Sequence, residues 1–363
     1  MIKAIAIYPG FDPDINEMAY IIKSLCKEGK AEFLVFTRRH DILKNSSFNE
    51  SFNNYKNLKI VPFEGKYPEF SFIESTIREF NYKPDLFFIA TTLFLSLTRN
   101  IKKHRDERII LHTEYFLNKR AGINKRYYLG IPLLKNTGMY FYYRYIYKLY
   151  DLIMCSDQYF ENDKISNYEG LVYLPWPIFP PENNGFTEKD KNFSCYIGSL
   201  STFKGFESVC EFYSSLLSFN QTMKVKLIGP IIDKKSGRLL DEIRNKFPYQ
   251  VEWEKKCTRE EAIRDIRKSL FVLCPKDILN WGFIGDAWAN KTLIITFGEQ
   301  YGLKDSENCL LYKGPNEIAR LIDKINDNPY YNRLTENGFL EYKSKHSTEY
   351  VKTKLLTYMN SVC

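Results

Sequence analysis

Short apolar runs alternate with polar, helix-periodic stretches along most of the chain. Residues 3–8 (KAIAIY), 33–36 (FLVF), 58–61 (LKIV), 86–90 (LFFIA) and 109–112 (IILH) read as strands. Strands buried on both faces of a parallel sheet are nearly continuous in Ile, Leu, Val and Phe, as these are. Residues 16–26 and 71–80 carry apolar positions at helical spacing between some of them. A further buried run, 151–156 (DLIMCS), and the segment 170–177 (GLVYLPWP) close this half. Residues 178–190 (IFPPENNGFTEKD) have linker composition, rich in Pro, Asn and charge.

A second series follows in the same rhythm. Residues 193–198 (FSCYIG), 225–229 (VKLIG), 251–253 (VEW), 271–274 (FVLC) and 293–297 (LIITF) are strand-like, and 206–218 and 259–268 are helical. Strands alternating with helices predict an α/β fold with mostly parallel sheets. In such sheets ligands bind beyond the carboxyl ends of the strands. Asp277 and Asp286, in the irregular stretch and helix start after residue 274, therefore suit a ligand with hydroxyls and phosphates. Gly10 ends the first strand, and His112 stands at the carboxyl end of another, where a plain structural histidine bonded to a neighbouring carbonyl is the competing reading.

Composition narrows the class. At 363 residues the chain suits two domains. No stretch approaches the ~20 apolar residues of a membrane span, and the N-terminal run lacks a long apolar core and a cleavage site, so it is expected to be a strand and not a leader. Eight scattered cysteines with no CxxC pair favour a reducing, cytoplasmic setting without structural zinc. A net charge of +8 attracts phosphates, acidic lipids or nucleic acid alike. Basic and aromatic residues mix over 119–150, with Lys119, Arg120, Lys125 and Arg126 leading. That mixture suits a membrane interface, an aromatic groove or a helix inside a large domain.

The order FSCYIGSLSTFKGFES, KVKLIGP, VEW, FVLCP, GFIGDAWANKTLIITFG and DSENCLLYKGPNEIARLIDKINDNP resembles the carboxyl-terminal domain of GT-B glycosyltransferases of family four. The resemblance covers about residues 193–350, and the first half in layout. It implies two Rossmann-like domains facing across a cleft, 1–180 for the acceptor and 181–346 for the nucleotide-sugar. Residues 347–363 are then a helix crossing back to the first domain.

The resemblance also implies roles. Lys204 matches the lysine aimed at the donor diphosphate, and Ser199 stands where the family often has an arginine. Asp286 matches the second acid of the paired-acid motif, which holds the ribose hydroxyls. Ile278 occupies the place of the first acid, so Asp277 is expected to reach the sugar, with Asn280 as the competing candidate. Gly10 leaves room for donor and acceptor, and His112 faces the transferred sugar. The implied activity is a retaining, metal-independent hexosyl transfer from a nucleotide-sugar, UDP- or GDP-linked, to a glycan, lipid-linked or protein-linked acceptor, with no cofactor. A degenerate relative that binds without transferring is the alternative. Peripheral membrane contact through Lys119, Arg120, Lys125 and Arg126 is expected, and nucleic acid is not.

Overall fold

The computed structural model describes residues 1–11, 16–38, 56–65, 67–90, 95–113, 148–156, 170–179, 188–275, 281–298 and 302–363. Asp277, Asn280, Lys119, Arg120, Lys125 and Arg126 lie outside the described residues. The chain divides into two compact units, unit 1 being Met1–Pro177 with Thr348–Cys363, and unit 2 being Ile178–Ser347.

Unit 1 contains β1 (Ile2–Ile7), α1 (Glu17–Lys27), β2 (Ala31–Arg38), β3 (Leu58–Phe63), α2 (Phe70–Glu79), β4 (Leu86–Ile89), α3 (Leu95–His104), β5 (Arg108–Thr113), β6 (Leu152–Cys155) and β7 (Leu171–Tyr173). The strands form one parallel sheet in the order β3-β2-β1-β4-β5-β6-β7. Alternate residues of β1 feed two cores. Ala4 and Ala6 join Phe33, Val35 and the apolar stripe of α1 on one face. Ile5 and Ile7 join Leu34, Phe36, Ile73, Ile77, Leu97 and Ile101 on the other. Burial of both faces is why these strands read as unbroken apolar runs. Asn16 caps α1 by accepting from the Ala19 amide at 2.9 Å, which sets the helix start at Glu17.

Unit 2 contains β8 (Asp190–Ile197), α4 (Phe206–Phe219), β9 (Lys224–Ile228), α5 (Lys234–Lys246), β10 (Val251–Glu254), α6 (Arg259–Lys268), β11 (Ser269–Cys274), α7 (Trp281–Ala289), β12 (Leu293–Thr296), β13 (Leu310–Leu311), α8 (Ile318–Asn326) and α9 (Asn328–Glu341). Its parallel sheet runs β10-β9-β8-β11-β12-β13. The strand order is the doubly wound one, and it reverses direction between β8 and β11. In sheets of this kind the switch point is where ligands bind, beyond the carboxyl ends of the two strands.

The last helix, α10 (Thr348–Val362), belongs to unit 1. It packs against α1 and places Val351, Leu355 and Met359 in the core with Ala4 and Phe33. Lys352, almost wholly buried, is paired with Glu28 at the end of α1 and with Glu349. The two carboxylates satisfy an ammonium that burial would otherwise make costly.

Candidate functional site

The loop after β8 is built to hold one conformation. Gly229 ends β9 with φ 146°, and a Cβ there would stand 1.9 Å from the Gly198 carbonyl oxygen, so two backbones meet where no side chain fits. The Ile232 amide donates to the Leu200 carbonyl at 3.0 Å, tying the two strand-end loops together. Asp233 adds a second tie by accepting from the Thr202 amide at 3.0 Å while capping α5 through Ser236. Those hydrogen bonds, the Ser236 amide foremost, hold its carboxyl down at about 2.

Lys204 ends a short 3-10 turn, Thr202–Lys204, on this loop. Gly205 follows in the left-handed conformation, φ 73°, and its missing side chain lets the loop approach Pro275 at the end of β11. The Lys204 loop therefore lies at the switch point. Lys204 is half-buried and makes no ion pair among the described residues, and Ser199 makes no side-chain hydrogen bond among them.

Asp286 sits on α7, the helix that follows the same strand. It is 7 % exposed, and an Arg259 guanidinium nitrogen donates to its Oδ1 at 2.7 Å. Burial pushes the Asp286 carboxyl up to about 6, against the opposing pull of Arg259. Arg259 opens α6, whose start is fixed by a reciprocal cap between Thr258 and Glu261. The guanidinium lies over the Phe179 ring at 4.4 Å from its centroid.

In unit 1, Gly10 follows β1 with φ 68°. His112 is 2 % exposed on β5, its ring stacked between Phe88 at 6.0 Å and Trp176 at 6.2 Å. Its Nε2 lies 3.2 Å from the Ser156 hydroxyl, just past β6. Burial lowers its pKa to about 4, so the imidazole is neutral at neutral pH. The competing structural reading had a carbonyl as its partner; the observed one is a hydroxyl, with two rings alongside.

Arg259, Phe179, Ser156 and Trp176 were not foreseen as site residues. A signal existed for Arg259, since a cation at the first position of a helix opposes the helix dipole. Among the described residues no cluster of three or more His, Cys, Asp or Glu is arranged to hold a metal ion, and no helix is long and apolar enough to cross a membrane.

Two doubly wound parallel sheets, the second followed by a helix that returns to the first unit, define the GT-B fold of glycosyltransferases. Solved structures agree across the whole chain. A glycosyltransferase from Rickettsia africae is similar at a TM-score of 0.68 and 10% identity, covering 99% of this chain and 98% of that one. Anabaena HepE, in complex with UDP and glucose, is similar at 0.67 and 12%, covering 99% and 100%. The pneumococcal O-GlcNAc transferase GtfA, in complex with UDP and GlcNAc, follows at 0.63 and 8%, covering 99% of each chain. No protein family and no curated protein matches the sequence.

Proposed function

We propose that the protein is a retaining glycosyltransferase that moves a sugar from a nucleoside diphosphate to the hydroxyl of a glycan, lipid-linked or protein-linked acceptor. Unit 2 is assigned the donor and unit 1, with Gly10 and His112, the acceptor. The observation that carries this reading is the switch point of unit 2, where a loop pinned by Asp233 and Gly229 brings Gly205 against Pro275 and carries Lys204, which makes no ion pair among the described residues. Structural neighbours of the same fold hold UDP, which supports a nucleotide there.

In this reading the bond from the anomeric carbon to the β-phosphate oxygen breaks, and the acceptor oxygen bonds to that carbon. The acceptor proton leaves with the diphosphate. Lys204 meets the charge growing on the departing phosphate, Asp286 accepts from the ribose, and Asp277, or Asn280 in its stead, orients the sugar. Neutral His112 donates or accepts a hydrogen bond to a sugar hydroxyl without adding charge. A panel of UDP-, GDP- and ADP-sugars, assayed for transfer, tests the assignment. Lys204→Ala and Asp286→Ala are each expected to lower turnover by about tenfold or more. Wild-type rates in both variants would remove it.

A second reading, donor binding without transfer, draws on the pairing of Asp286 with Arg259 and on Ser199 where relatives often carry arginine. Nucleotide-sugar binding by calorimetry with neither hydrolysis nor transfer would favour it.

A further inference from the structure

The Arg259–Asp286 pair reaches furthest beyond the fold. A cation at the first position of a helix faces the positive end of the helix dipole, an unfavourable place unless something holds it. Two contacts do. The Phe179 ring lies under the guanidinium at 4.4 Å, fixing its plane. One terminal nitrogen donates to Asp286 Oδ1 at 2.7 Å. The other carboxylate oxygen has no hydrogen-bond partner among the described residues. The oxygen facing the guanidinium is partly spent as an acceptor, so the other is the stronger one.

Several charged groups on the elements packed around α7 are engaged elsewhere, and Glu260, Arg264 and Lys343 are exposed on the surface. From α9, Glu336 takes Lys291, and Glu341 takes Lys345 of the following turn, whose His346 ring lies beside Trp288. Arg267 of α6 bonds the Asn290 side chain, and Lys189 bonds Thr292 before β12. Among the described residues, Arg259 is the cation on Asp286.

We infer that Arg259 is a positioning residue for the nucleotide, keeping Asp286 ionised and turned so that Oδ2 accepts a single ribose hydroxyl, with Phe179 locking the guanidinium in place. This rests on the assignment of unit 2 to the donor. Without its cation, a carboxylate buried this far takes up a proton and no longer accepts through both oxygens. With the guanidinium in place, the site reads one hydroxyl of the diol strongly and the other weakly.

Calorimetric titration tests it, first with uridine, guanosine and adenosine diphosphates. The tightest of the three is then compared with its 2′-deoxy and 3′-deoxy forms on wild type, Arg259→Gln, Arg259→Lys and Asp286→Asn, from pH 5 to 8. In wild type one deoxy form is expected to bind about tenfold more weakly and the other within about threefold. Arg259→Gln should raise the pH midpoint of binding by about one unit and even out the two hydroxyls. Arg259→Lys should restore the midpoint but not the full preference, because an ammonium lacks the stacked plane. Thermal melting of each variant identifies any that fails to fold, and Arg259→Lys carries the test if Arg259→Gln does. An unmoved midpoint and preference in the folded Arg259 variants, with Asp286→Asn still weakened, overturns the inference alone. Wild-type affinity in Asp286→Asn, or no binding by any of the three nucleotides, overturns the donor assignment and the inference with it.

Discussion

The two units bury a titratable side chain near the carboxyl edge of the same kind of sheet, and they hold it in opposite ways. His112 in unit 1 is neutralised by burial alone and needs only a hydroxyl and two rings. Asp286 in unit 2 stands near its charge change and is held by a guanidinium. A base can shed its charge at neutral pH, whereas a carboxylate must find a cation or take up a proton. The difference fixes how each unit responds to acid.

The largest expected effect is on unit 1. Above pH 6.5 His112 is neutral in both the folded and the unfolded chain, and its full contribution is present. As pH falls toward 4 the unfolded chain binds the proton first, and a displacement from 6.5 to about 4 removes about 3 kcal/mol. Hydrogen exchange resolved by unit should show this loss in wild type, and His112→Gln should lack that part of the pH dependence. An unchanged profile in the variant would break the comparison.

Unit 2 should move the other way through the same window. The Asp286 pKa is raised from 3.8 to about 6, so the folded form takes up the proton first and stability from this group rises as pH falls, by nearly 3 kcal/mol. Asp286→Asn should flatten that rise in the same exchange experiment. Smaller again is Arg259→Gln, which leaves a buried carboxylate without its cation and is expected to cost about 2 kcal/mol at pH 7 and much less at pH 4.5. Urea unfolding at the two pH values checks it, and equal costs would mean that the pair is not ionic. The least is Ser156→Ala, about 1 kcal/mol in urea unfolding, because one neutral hydrogen bond is lost.

Much of the architecture was legible because parallel strands covered on both faces leave a dense apolar signature. KAIAIY, LFFIA and FVLC are strands β1, β4 and β11. The start of β8 was not, since Asp190 falls at the end of the linker composition and Lys191 and Asn192 are polar and exposed, yet Asp190 pairs with Ser269 of β11. Asp286 and His112 stood out in the sequence because chemistry and strand-end position coincide there. Their partners did not. Ser156 lies 44 positions from His112 and Arg259 lies 27 from Asp286, and only the folded sheet order sets these distances in space.

The placement of α10 has a consequence for biosynthesis. The first unit to leave the ribosome lacks the helix that covers one face of its sheet, with Val351, Leu355 and Met359 and the buried Lys352 still unmade. Translation of the second unit intervenes, roughly 10 to 30 s at ordinary elongation rates. The half encoded later can thus mature before the half encoded earlier, and a nascent chain stalled before residue 348 would present an oily surface to chaperones.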